Sequence, residues 1–127
     1  MLQGRIEWDI EPVEVSENFD EFQRVLASEL EEALEDVVDT VGSEAQANAP
    51  VDTGRLRDEI SWQVERIAEA LIEGQIESGA PYSAFVEFGT IYMEPNSFMS
   101  PALDGNRDWI VQRVETAIEN AIQRVFG

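Results

Sequence analysis

From Phe19 to about Asn48 the chain repeats apolar side chains at helical spacing, and no other stretch constrains its fold as strongly. Phe19, Phe22, Val25, Leu26, Leu30, Ala33, Leu34, Val37, Val38, Val41 and Ala45 return every three or four positions. Glu21, Glu29, Glu31, Glu32, Glu35, Asp36 and Asp39 fill the opposite side. A period near 3.6 predicts one amphipathic helix on the order of 40 Å long at 1.5 Å per residue. Such a helix must find an apolar surface to cover its stripe. Ser16 or Asn18 can cap it, Gly42 is a weak point within it, and Pro50 ends it.

The flanking segments supply that surface. Ile6, Trp8 and Ile10 alternate with Glu7, Asp9 and Glu11, which predicts a strand over residues 5–15 that Pro12 confines to an edge or an end. Residues 59–66, with Ile60, Trp62 and Val64 on one face, and residues 70–78, with Leu71 and Ile76, predict an antiparallel hairpin. Gly74 is the expected position of a bulge. Gly79-Ala80-Pro81 breaks the chain, and a short helix from Tyr82 to Phe88 should end at Gly89. Residues 90–100 read as a loop, and Pro101 opens a C-terminal helix that runs to about Phe126. The expected fold is α+β: a small antiparallel sheet, with the long amphipathic helix and the C-terminal helix packed on one face. Residues 1–127 form one domain, divided into an N-terminal strand or arm (1–15) and a core (16–127).

Composition then narrows function. The chain has no cysteine and no histidine. It therefore lacks thiol chemistry, the commonest general base and the commonest transition-metal ligand. The expectation is a non-enzyme without metal or cofactor. No stretch is long and apolar enough to predict a membrane span. Aspartate and glutamate number 27 against 8 basic residues, for a net charge of −19. All eight basic residues are arginine. At moderate ionic strength this charge would destabilise a compact domain by self-repulsion. At about 1 M salt the screening length falls to roughly 3 Å and the repulsion largely disappears. A halophilic setting is the expectation. Direct DNA binding is disfavoured, since phosphate contacts need a cationic patch and none appears in the sequence. Mimicry of DNA by the acidic surface is a further reading.

Three patterns carry candidate chemistry. Asp52-Thr53-Gly54 matches the core of aspartic proteases, which pair two such carboxylates and would here require a homodimer. The triplet directly follows a helix and precedes Arg55 rather than an apolar strand, so a turn is the favoured reading. Asp104, Asn106, Asp108 and Glu115 share the spacing of a calcium loop, but Trp109 stands where the loop needs glycine. The segments 82–90 and 96–103 concentrate Tyr82, Phe85, Phe88, Phe98 and Met99 around Gly89 and Pro101. Aromatic density of this kind builds either a core or a partner surface, and Phe98 and Met99 could equally plug the loop or anchor it on a neighbour.

In order along the chain stand Ala49-Pro50-Val51-Asp52-Thr53-Gly54-Arg55-Leu56-Arg57, Tyr82-Ser83-Ala84-Phe85-Val86-Glu87-Phe88-Gly89-Thr90, and Pro95 to Phe98 with Pro101-Ala102-Leu103. This set resembles the tail-completion, or head–tail joining, proteins of tailed bacterial and archaeal viruses, with their A-P-x-x-T-G-x-L-R, Y-x-x-x-V-E-F-G-T and P-x-x-F-x-x-P-A-L segments. The resemblance implies a non-enzymatic, homohexameric ring at the virion neck, assembled in the host cytoplasm. Its partners would be portal or stopper proteins on one side and tail tube or terminator proteins on the other. DNA would pass through without specific binding. On that reading Asp52, Thr53, Gly54, Arg55 and Leu56 shape the turn, and Arg55 and Arg57, rare cations on an acidic chain, are candidates for ion pairs between subunits. Tyr82, Phe85, Glu87 and Phe88 would build the core and the subunit contact, and Phe98 and Met99 would anchor a loop on a neighbour. A tail terminator or minor tail protein is the neighbouring alternative. The lysine-free acidic surface points to a virus of a halophilic archaeon.

Overall fold

The computed structural model describes residues 12–50, 55–68, 71–80, 82–91 and 94–127. Helix α1 spans Pro12–Asn48, followed by a single turn, α2 (Arg55–Asp58). Strands β1 (Ile60–Ala68) and β2 (Leu71–Ser78) form an antiparallel hairpin. Helices α3 (Ser83–Phe88), α4 (Met99–Gly105) and α5 (Arg107–Phe126) complete the chain. The architecture is α+β, a two-stranded sheet with its helices on one side.

α1 is the spine. Its 37 residues rise about 55 Å, and each flank meets a different element. One flank covers the hairpin's inner face, where Trp62 pairs with Ile76 and Val64 with Gly74. The approach is close because both elements use glycine at the crossing. A Cβ at Gly42 would run into the Trp62 ring, and a Cβ at Gly74 would lie 2.8 Å from Val38 Cγ1. Gly42 is thus the seat for an indole rather than a weak point in the helix. Gly74 sits in regular register, so the bulge expected there is absent. The irregularity falls instead between Arg66 and Ala68, beside the hairpin turn. Trp62 Nε1 donates to Asp39 Oδ1 at 2.7 Å, and Arg66 pairs with Glu31 at 2.7 Å.

The other flank of α1 carries α5, running antiparallel. Arg113 pairs with Asp36 at 2.8 Å, Arg124 with Glu29 at 2.7 Å, and the Phe22 and Phe126 rings meet at 5.7 Å. Ala33, Ala117 and Ala121 are fully buried, since small side chains let the two helices approach. The main core gathers at the C-terminal half of α1, where Val37, Val41, Ala45 and Ala49 meet Leu56, Ile60, Ala80, Phe98 and Ala102.

Three boundaries differ from the sequence reading. α1 begins at Pro12, so residues 12–15, expected to end a strand, are helical, and proline suits a first helical turn. Residues 1–11, with Ile6, Trp8 and Ile10, lie outside the described residues. The C-terminal helix starts two residues early, at Met99, and divides at Asn106. There Asn106 Nδ2 donates to Ala102 O at 2.7 Å and to Glu44 Oε2 at 2.6 Å, fixing the corner against α1.

Candidate functional site

The second and third sequence segments meet at one buried carboxylate. α4 is preceded at its capping position by Phe98, a residue with no side-chain oxygen to satisfy the helix's first amides. Glu87 of α3 supplies the acceptors from elsewhere in the chain. Its Oε2 accepts from the Phe98 amide at 2.8 Å and the Met99 amide at 3.0 Å. Its Oε1 accepts from the Ser100 amide at 2.8 Å and the Ser100 hydroxyl at 2.6 Å. The backbone tightens the same junction: Ser97 Oγ donates to Glu87 O at 2.7 Å, and Asn96 N to Val86 O at 2.8 Å. Glu87 is 7% exposed. Burial pushes its carboxyl up, but the Ser100 hydroxyl and the amides of Met99, Ser100 and Phe98 outweigh that, holding it below the ordinary glutamate range. Four donors and an anion at a helix start leave a satisfied structural clamp.

The clamp sorts the aromatic residues around it. Phe98 turns inward and is 1% exposed, so of the two readings open for its loop it is the plug. Asn48 Nδ2 donates to its carbonyl at 3.4 Å. Met99 and Tyr82 are half-buried against the core. Phe85 and Phe88 face out, Phe88 at 76% exposure, and Ile91 continues that shoulder. Gly89 ends α3 at φ 77°, a backbone conformation that favours glycine. Thr90, Pro95 and Pro101 are exposed, and Leu103 is half-exposed on α4.

Of the first segment, Asp52, Thr53 and Gly54 lie outside the described residues. Pro50 closes the end of α1, and Leu56 is buried in the core. Arg55 pairs within the chain, with Glu59 at 3.3 Å. Arg57 is exposed and makes no ion pair among the described residues. Asp104 pairs with Arg107 at 3.0 Å, and with Asn106 engaged by Glu44, the calcium-like spacing falls on two helices rather than on a loop. Among the described residues no group of acidic side chains is arranged to hold a metal, and no helix is long and apolar enough to cross a membrane.

A second feature was not anticipated from the sequence. Between its two covered flanks α1 leaves Leu34, Val37 and Val41 as the floor of an open groove of about 430 Å³. Val38 of α1 borders it beside Gly74 and Ile76 of β2, while Met99, Ser100 and Leu103 of α4 close one end. On α5, Arg113 and Arg124 mark one flank and Ala117 and Ala121 the contact line. At 3.6 residues per turn, Val111, Ile118 and Ile122 fall on the other flank, towards the groove, and all three are exposed. α5 is therefore apolar over a wider arc than α1 covers, a signal present in its spacing.

A buried carboxylate thus joins α3 to the start of α4, with an apolar groove on the other side of α4. Residues 14–89 match the family model described as "Bacteriophage HK97-gp10, putative tail-component". The match spans well over half of the chain, from the start of α1 to Gly89, and the chain belongs to this family of tail components of tailed viruses. No curated protein and no solved structure matches the chain.

Proposed function

We propose that the protein is a ring subunit at the virion neck, between the portal or stopper of the head and the tail tube. The observation that supports this best is a division within the molecule. The clamp satisfies its own polar groups, whereas the groove and the exposed Val111, Ile118 and Ile122 of α5 leave apolar surface uncovered on a tail-component chain. A subunit that repeats around an axis covers such a face with its neighbour. The chemistry is recognition rather than catalysis, with the outward Phe85 and Phe88 available for contacts. Portal or stopper proteins lie on one side of the ring, tube or terminator proteins on the other. A six-membered ring carries −19 per copy. Acids along its channel repel DNA phosphates, so the genome slides through without specific binding. The same charge, carried without lysine, suits the molar salt of a halophilic archaeal host.

Immunogold labelling of tailed particles tests the placement. Gold at the head–tail junction is the expected result. Gold along the tail would move the protein to the tube, gold at the upper end of the tube to the terminator, and unlabelled particles would sink the reading.

A further inference from the structure

We infer that the groove over α1 receives the N-terminal segment of a second copy of this chain, Ile6 to Glu11, as a third strand beside β2. The inference rests on the ring reading in requiring a neighbour. Three observations carry it.

Among the described residues the sheet has two strands, and neither edge of the hairpin is paired with a further described strand. The groove lies beside β2, and Gly74 and Ile76 line it. A strand added at that edge has one face over the groove and one in solvent. Ile6, Trp8 and Ile10 alternate with Glu7, Asp9 and Glu11 in the order such a strand needs. The acidic face then continues the polar outer face of the hairpin, where Ser61, Gln63, Glu65 and Glu77 are exposed.

Chain length decides whose segment it is. Leu34, the nearest floor residue, lies about 33 Å along α1 from Pro12 at 1.5 Å per residue. An extended chain returning from Pro12 covers about 3.3 Å per residue, so Ile6 reaches about 20 Å and Trp8 about 13 Å. A subunit's own segment stops short of its groove. The segment of an adjacent subunit has no such limit, and an arm given to one neighbour and taken from the other is a heterologous contact that closes into a ring.

The chain has no cysteine, so one pair of introduced thiols reports the contact. The full-length Ile6→Cys/Leu103→Cys variant is treated with a short bis-maleimide at about 3 M salt, where charge is screened, and its mass is measured by light scattering. The expected result is a ladder of covalently linked chains from an assembly of the same mass as the unaltered protein, with each single variant giving at most linked pairs. A link confined to one chain overturns the inference by placing the segment on its own groove. An assembled ring without a ladder overturns it and leaves the ring reading standing; an Ile91→Cys/Leu103→Cys ladder would then assign the groove to the Phe88 shoulder. A protein that stays monomeric overturns both. Removing residues 1–10 touches no described residue, and the truncated chain should keep its helical signal and fail to assemble. Full assembly by that chain overturns the inference.

Discussion

The two regions beside α4 are built on opposite terms. On one side Glu87 is buried and anionic, and each of its oxygens accepts two hydrogen bonds from Phe98, Met99 and Ser100. On the other, Met99 and Leu103 end an apolar groove in which Leu34, Ile76 and Leu103 stay partly exposed above the buried Val37, Val38 and Val41. Burying a charge is tolerable only when its partners are complete, so the clamp must close within one chain before any partner arrives. Apolar surface has no such requirement. It stays soluble when flanked by carboxylates and gains free energy when a partner removes it from water. The first region holds the subunit's shape, and the second is where it is unfinished.

Substitutions in the closed region should cost folding. Phe98→Ala opens a cavity at the centre of the core, and a loss of about 3–5 kcal/mol is expected in denaturant unfolding. Glu87→Ala orphans the buried Phe98 amide and should cost about 1–3 kcal/mol. Gly42→Ala separates propensity from packing. Alanine favours an isolated helix by about 1 kcal/mol, but here its Cβ meets the Trp62 ring, so net destabilisation of about 1–2 kcal/mol is expected. A more stable Gly42→Ala protein would contradict the packing described.

Acid offers a gentler break. The Glu87 carboxyl is held below its ordinary value in the folded state. Its contribution is therefore full above the unfolded glutamate value of about 4.3 and is lost as the pH falls through the folded value. The melting temperature of the parent protein should exceed that of Glu87→Gln at neutral pH, and the gap should narrow below about pH 4. A gap that widens in acid would mean that the protonated rather than the ionised carboxyl holds the clamp.

In the open region the expectation inverts. Ile118→Asp and Val111→Asp replace exposed side chains, so folding stability should change by within about 0.5 kcal/mol while assembly, read by light scattering, is lost. The smallest effect belongs to the outer face of the hairpin, where Glu65 stands opposite Glu73. Glu73→Lys should stabilise the protein by a few tenths of a kcal/mol at about 0.1 M salt and by nothing measurable at about 3 M. Across the whole chain, the same change of salt from about 3 M to about 0.1 M lengthens the screening length to about 10 Å and should unfold or dissociate the unaltered protein.

Periodicity made the elements legible. Runs at 3.6 and at 2 residues name α1, the hairpin and α5 because side-chain direction follows backbone geometry, and burial requires one face of each element to be apolar. Gly89, at positive φ, and Phe98, apolar in a loop, were candidates from local chemistry, and Leu56 from the resemblance. The three spaced segments likewise pointed to the tail-component family that the match over residues 14–89 establishes. What the sequence could not carry were relations between distant residues. The resemblance named Glu87 among residues of the core and subunit contact, but only the fold carries its carboxylate to a helix start whose capping residue, Phe98, has no side-chain oxygen. Gly42 and Gly74 read as a weak point and a bulge until Trp62 and Val38 are seen to occupy the space they leave. The groove depends on the angle around α1 at which the hairpin and α5 each settle. Sequence fixes which faces seek cover because that is a property of single elements. Tertiary structure alone decides which of them obtain it, because that depends on how many elements one helix can accommodate around its circumference.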